Sequence, residues 1–323
     1  MHTDTLTHIE LGHGAQLAGP LAVVAHDAGG AELVSSLLLR HQVLQRLPVR
    51  LALAGPALAV FRRKLGPALA LCSVGEALDG AAGLLAGSGW SSMLEWQAVA
   101  AARAQGVPSV VMLDHWVNYR SRFVRDGQLC LPDALWTGDA EALDLARRQL
   151  PEVPSLLVPN PYLAEQLALL ADACPRPRPQ AGRVRVLYVT EPVCEPARQL
   201  FGNPLHHGFT EQQALDWTLY QLPLTLAAAG LHIDALELRP HPSEAPDKYD
   251  AQLAAWQGRC DFALRRATAA TLTEALAHCD VVVGCNSMAM ALALAAGRRV
   301  YCAIPPGGPA CALPQRGILR LGV

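Results

Sequence analysis

Glu237-Leu-Arg-Pro-His-Pro-Ser-Glu244, read together with Gly284-Cys-Asn-Ser-Met288 some forty residues later, decides the fold. Residues 231–238 alternate apolar and polar side chains, the two-residue period of a strand, and Arg239-Pro240-His241-Pro242 stands at the carboxyl end. The two prolines restrict the backbone on both sides of His241 and remove donors. The imidazole is thereby fixed where the chain leaves the sheet, the place where open α/β sheets bind ligands. Residues 273–278 read as a helix and 280–283 as a short apolar strand. The 284–288 turn then opens an Ala/Leu/Met helix running to about residue 296. A strand, a tight turn carrying Asn286-Ser287 and a helix together offer backbone N–H groups and a hydroxyl to a phosphate. Alone, His241 reads equally as a solvated surface turn. Two such sites at neighbouring strand ends point instead to one nucleotide gripped from two sides.

The rest of the carboxyl-terminal half fits around this pair. Residues 183–189 read as a strand ending in Thr190-Glu191-Pro192. Thr190 and Glu191 join Arg239, Pro240, Ser243, Glu244, Asn286 and Ser287 as candidate donor-binding residues, although a capping turn accounts for Thr190-Glu191 equally well. Residues 193–210, with Gly202, Asn203, Pro204 and Gly208, carry neither period and read as a mobile loop. Thr210-Glu-Gln-Gln has a capping pattern and predicts a helix to about residue 229 despite Pro223. Upstream, Ala173-Cys-Pro-Arg-Pro-Arg-Pro-Gln-Ala-Gly182 is an extended connector. The expected organisation is an amino-terminal domain over 1–173, a linker over 174–182 and a carboxyl-terminal domain over 183–308. A tail over 309–323 is expected to pack back on the first domain.

In the amino-terminal half, Leu21-Ala-Val-Val-Ala25 is the apolar run of a buried parallel strand, followed by His26-Asp27-Ala-Gly-Gly30 and a helix. Glycines in such a turn let a ligand approach the backbone. They make Asp27, Gly29 and Gly30 candidate site residues, with a purely conformational need as the alternative. The spacing G-x-G-x-x-G is absent, so NAD is not implied. Strands are expected over 49–53 and 69–74. A second glycine turn, Gly87-Ser-Gly-Trp-Ser-Ser92, precedes a helix over 93–105 and adds Ser88, Trp90 and Glu95; capping alone explains Ser91 and Ser92. After the apolar strand 109–113 comes Asp114-His115-Trp116-Val-Asn-Tyr119. Aromatic faces to contact a pyranose and a carboxylate to accept a proton are what a sugar-handling cleft needs. Asp114 is therefore the candidate base, with His115, Trp116 and Tyr119 lining the cleft; a locally bonded cap is the alternative for Asp114. An ion pair to Arg120, Arg122 or Arg125 would weaken Asp114 as a base and turn the role toward Glu95 or Asp27.

Composition limits the function classes. The 323 residues suffice for two domains, and a net charge of −2 with 17% charged residues makes nucleic acid an unexpected partner. The first 25 residues lack a basic n-region, and no apolar run of 18 is free of charges or turn formers, so neither a signal peptide nor a membrane span is expected. Nine cysteines without a C-x-x-C pair suit free thiols in a reducing cytoplasm. Neither zinc-ligand spacing nor an Asp-x-Asp motif occurs, and metal-independent chemistry is expected.

Arg-Pro-His-Pro followed by a strand–turn–helix with Asn-Ser resembles the histidine-proline and serine motifs of bacterial GT-B glycosyltransferases. The resemblance is to those using CMP-activated acidic sugars, the sialyl-, polysialyl- and Kdo-transferases. It covers the carboxyl-terminal half and reaches the amino-terminal half through Asp114, which is similar to the acidic motif supplying their general base. The chain departs from the pattern with Asn286-Ser287 in place of Ser-Ser or Ser-Thr, and with His115-Trp116 in place of a second acid and a glycine. The resemblance implies an α/β fold of two Rossmann-like, doubly wound domains facing a cleft. It further implies His241 donating to the leaving phosphate, and a nucleotide sugar as substrate with no cofactor. Transfer would be to a glycan or lipid-linked glycan, in the cytoplasm or at the inner membrane face, with peripheral membrane contact. A non-hydrolysing UDP-sugar 2-epimerase, a CDP-polyol phosphotransferase and a non-catalytic nucleotide-sugar-binding protein stay open as alternatives.

Overall fold

The computed structural model of the chain describes residues 8–89, 92–173 and 180–322. Its internal packing divides it into two compact units, Met1–Glu165 and Gln166–Val323. The division falls inside the helix Pro161–Asp172, upstream of the proline-rich tract, of which 174–179 lie outside the described residues.

The first unit holds a six-stranded parallel sheet in the spatial order 155–157, 134–137, 109–113, 83–86, 21–25, 49–53. Leu21–Ala25 is buried at every position. Leu21, Val23 and Ala25 pack with Leu33, Leu37 and Phe61, whereas Ala22 and Val24 pack with Ala98, Val99 and Ala102. Alternate side chains thus feed two helical layers, which is why the strand reads as one continuous apolar run. The strand expected over 69–74 shrinks to one parallel bridge between Leu71 and Leu51. Ser73 and Glu76 form a reciprocal capping box there and lead the chain into the helix Val74–Leu78. Counting that bridge, the sheet winds outward in one direction for three strands and in the other from Gly83–Ala86 onward. The reversal lies between Leu21–Ala25 and Gly83–Ala86.

The second unit repeats the plan in the order 263–266, 232–239, 183–189, 281–284, 299–302, 318–320, with every neighbouring pair parallel. Its reversal lies between Arg183–Val189 and Val281–Gly284. Both sheets are doubly wound, as expected, and in such sheets ligands bind at the reversal. Within the tail, Ile318–Arg320 pairs with Arg299–Cys302 as the edge strand of the second sheet. The segment 193–210 is not a plain loop, since Cys194–Phe201 is an α-helix ended by Gly202 at φ 69°. Pro196 sits in the first turn of this helix, where its missing N–H has no intrahelical partner to lose. Thr210 caps the next helix, Glu211–Ala227, through the expected box with Gln213. Among the described residues no helix is long and apolar enough to cross a membrane.

Candidate functional site

In the second unit the central strand Arg183–Val189 delivers Thr190 and Glu191 at the reversal of the sheet, between the proline loop and the Asn286-Ser287 turn. The Thr190 hydroxyl accepts the His241 N–H at 2.8 Å and donates to Glu244 Oε2. Glu191 Oε2 accepts the Asn286 N–H at 2.7 Å. Two consecutive residues therefore fasten both turns. Gly284 makes the second turn possible: a Cβ there would lie 2.8 Å from Val189 Cγ2 and 3.1 Å from Met290 Sδ. Ser287 caps the helix Met288–Ala295 by accepting the Ala289 N–H at 3.3 Å, and Asn286 Oδ1 accepts the Ala312 N–H at 2.7 Å.

Glu244 organises the proline loop from beneath. Its carboxylate accepts from the Thr190 hydroxyl, from Lys248 Nζ and the Tyr249 hydroxyl at 2.7 Å each, and from the His241 N–H at 3.1 Å. Burial by itself would raise its pKa, but the bonds from Lys248, Thr190, Tyr249 and His241 outweigh burial and hold it below the usual carboxylate range. Lys248 also pairs with Glu211 at the start of Glu211–Ala227. Expected to touch a donor, Glu244 instead positions the loop. Glu191 behaves oppositely: burial pushes it up, and the Asn286 N–H offsets this only in part. Arg239 also differs from expectation, because its guanidinium donates to the carbonyls of Ala269 at 2.7 Å and Ala270 at 3.2 Å. Pro240 ends the strand between this side chain and His241.

The His241 ring is set in one tautomer. The Ser243 N–H points at Nδ1 at 3.2 Å, and the Ser243 hydroxyl lies 2.8 Å from the same atom. Nδ1 is thus the acceptor, and in the neutral ring the proton sits on Nε2. Burial lowers the pKa, with the nearby Glu244 charge opposing it, so the neutral form prevails at pH 7. Nε2–H is a fixed donor at the strand end.

In the first unit the groups predicted from sequence cluster at the reversal, with different roles. Asp114 Oδ1 accepts from the Ser88 hydroxyl at 2.6 Å and pairs with Arg122 at 2.7 Å. A Cβ on Gly29 would strike Asp114 Oδ2, and one on Gly30 would lie 3.0 Å from Gly87 Cα, so these glycines are required by close packing. Glu95 is buried under the Gly87-Ser88-Gly89 turn, where Oε1 accepts the His26 N–H at 2.7 Å. Burial, the largest influence, pushes its pKa up. Trp116 and Tyr119 turn into the protein: Trp116 donates Nε1 to both Asp139 oxygens at 3.1 and 2.9 Å, and Tyr119 is fully buried. Ser88 is equally internal. His115 is tied back by the Trp116 N–H on Nδ1 at 3.0 Å, and burial lowers its pKa. Trp90 lies outside the described residues. Asp27 is about one-fifth exposed and holds His26 Nδ1 at 2.8 Å.

No family model matches the chain, and no curated protein sequence matches it. Solved structures do. The S. aureus MnaA–UDP co-structure aligns with a TM-score of 0.53 at 11% identity, over 87% of this chain and 78% of that one. The UDP-GlcNAc 2-epimerase from Neisseria meningitidis bound to UDP-GlcNAc gives 0.54 at 9%, over 87% and 81%. The UDP-GlcNAc 2-epimerase from Methanocaldococcus jannaschii gives 0.52 at 8%, over 87% and 83%. These likenesses show the fold.

Four residues that matter to this geometry were not singled out from sequence. Lys248 had a signal, lying four residues after Glu244 at the spacing that pairs opposite charges on a helical turn. Tyr249 had none, because nothing in the chain order says that its hydroxyl meets Glu244. Arg122 was one of three arginines able to reach Asp114, and only the structure selects it. His26 was read as part of a turn rather than as the partner of Asp27.

Proposed function

We propose that the chain acts on a nucleotide-activated sugar, and that the second unit holds the nucleotide phosphate while the first binds the acceptor. The carrying observation is the fastening of the His241 loop and the Asn286-Ser287 turn to Thr190 and Glu191, consecutive residues at the reversal of one sheet. Nε2–H of His241 and the Ser287 hydroxyl with the amides behind it would donate to phosphate oxygens. Charge builds on those oxygens as the sugar–phosphate bond breaks, and one preorganised donor there is worth on the order of 3 kcal/mol. Asp27 is our choice for the general base on the acceptor hydroxyl, because Asp114 is committed to Arg122 and Ser88 while Glu95 is buried under the glycine turn. The favoured reaction is glycosyl transfer to a glycan or lipid-linked glycan. A CMP-linked acidic sugar is the donor suggested by the histidine-proline and serine motifs.

A second reading, 2-epimerisation of a UDP-sugar without an acceptor, is supported by the names of the N. meningitidis and M. jannaschii proteins. Thermal denaturation with CMP, CDP, UDP and GDP tests the shared core of both readings. One nucleotide at one hundred times its Kd should stabilise the protein by about 2.7 kcal/mol, a rise in Tm of roughly 5–10 °C. No stabilisation by any of the four would refute nucleotide binding. Selective stabilisation by UDP would overturn the CMP donor. Incubation with UDP-GlcNAc alone then separates the reactions, since conversion without acceptor identifies the epimerase.

A further inference from the structure

The helix Glu211–Ala227 starts at the Glu244–Lys248 hub and, one to two turns on, borders an open groove of about 490 Å³ within the second unit. Its walls are Asp216, Trp217, Tyr220, Trp256 and the Pro305-Pro306 pair. At 1.5 Å per helical residue, Trp217 stands about 9 Å along the axis from Glu211. None of the groove's walls belongs to the His241 loop or the Asn286-Ser287 turn, and no role described above uses it.

The rings in this groove are held in place. Trp217 and Tyr220 lie 6.4 Å apart between centroids at 36°, and Tyr220 is 60% exposed. Gly322 packs on the Trp217 ring, where a Cβ would fall 2.7 Å from Cζ2. Asp216 is oriented by two donors on a single oxygen: Gln252 Nε2 and Trp256 Nε1 each reach Oδ1 at 2.7 Å. Oδ2 accepts no hydrogen bond among the described residues. The indole donors are spent or turned away, Trp256 Nε1 on Asp216 and Trp217 Nε1 into the protein interior. What remains is aromatic surface beside a fixed acceptor.

This chemistry selects among the ligands that aromatic grooves take. A proline-rich peptide docks on aromatic grooves through donors that receive its carbonyls; both indole N–H groups here are spent or turned inward, which leaves that ligand only the Gln213 amide and the Tyr220 hydroxyl. A quaternary ammonium needs open aromatic faces free of competing cations, but Arg259 already sits over Trp256 at 5.2 Å. A pyranose supplies an apolar ring face for Tyr220 and Trp217 and hydroxyl donors for Asp216 Oδ2. Gln213, also at the groove, holds the Thr210 N–H with Oε1 and leaves its amide NH₂ for a sugar oxygen. We propose that this groove is a binding subsite for a neutral pyranose unit of an oligosaccharide, in addition to the phosphate site.

The test titrates the full chain with chitotriose and maltotriose, following tryptophan fluorescence, with choline and a decaproline peptide as competing probes. Saturable binding of either oligosaccharide is expected. Tyr220→Ala should weaken it about tenfold, as loss of one stacking ring in a sugar site would, and Asp216→Asn at least threefold. Nucleotide-induced stabilisation should be unchanged in both variants. Because Tyr220 projects from the surface, its replacement leaves the fold intact, and an unchanged Tm verifies this. Lack of saturation by both oligosaccharides up to 10 mM, equal affinity in Tyr220→Ala, or binding of choline or decaproline instead would each overturn the proposal. Nucleotide binding is read separately, so a failure of the groove and a failure of the phosphate site give different results.

Discussion

Replacing Glu244 with alanine is expected to lower the Tm of the second unit by roughly 10 °C or more. The carboxylate is almost fully buried and is the common acceptor for Thr190, Lys248, Tyr249 and the His241 N–H. Removing one partner of a buried pair costs about 3–5 kcal/mol, because the others remain buried without it. In a unit of this size each kcal/mol moves Tm by about 2–4 °C. Glu244→Gln, which keeps one acceptor oxygen, should lose less. The pH dependence has a definite sign. The folded pKa of Glu244 lies below its unfolded value, so its contribution is present above the unfolded pKa, about 4.3, and is lost as pH falls through the folded one. Scanning calorimetry should therefore show a gap between wild type and Glu244→Ala that is constant at neutral pH and closes below about pH 4. A Tm within 1 °C of wild type at pH 7 would remove Glu244 from its place at the centre of the loop.

The largest expected effect on activity comes from Asp27→Asn. Loss of a general base typically costs about 10²–10⁴ in rate, and turnover of the donor with its acceptor should fall by that much. Asp27 stands at the N-cap of Ala28–Arg40 without a side-chain cap bond, and asparagine is as good a cap residue, so folding should be preserved. Nucleotide affinity should not change, since Asp27 belongs to the first unit and the phosphate site to the second. Steady-state rates beside nucleotide titrations separate the two quantities. Full turnover in Asp27→Asn, with loss of turnover in Asp114→Asn, would return the base role to the residue first selected from sequence.

Much of the fold was legible because its signals are local. Leu21–Ala25 and Val281–Gly284 are uninterrupted apolar runs because both their faces are covered. Pro240, Pro242, Gly29 and Gly30 mark where the chain leaves each sheet. The sites at strand ends follow from that, since a doubly wound sheet brings its turns together at the reversal. The direction of side chains at those ends was not legible. Asp114-His115-Trp116-Val-Asn-Tyr119 has the composition of a sugar cleft, yet Trp116 bonds Asp139 and Tyr119 completes the core. An aromatic residue after a strand reads the same whether it turns inward or outward. Glu244 illustrates the same limit for charge: a polar residue in a proline loop suggests exposure, and only the positions of Thr190, Lys248 and Tyr249 reveal a buried acceptor.

The claim that both turns of the second unit hold one phosphate is tested most directly by calorimetric titration. The nucleotide that stabilises the protein most and its phosphate-free nucleoside would be titrated into wild type, His241→Ala and Ser287→Gly. Each variant should bind the nucleotide about tenfold more weakly, the effect of roughly 1.4 kcal/mol for one lost donor to a charged group, while nucleoside affinity stays at the wild-type value. Undiminished nucleotide affinity in either variant, or an equal loss for nucleoside and nucleotide, would contradict a phosphate held between His241 and Ser287.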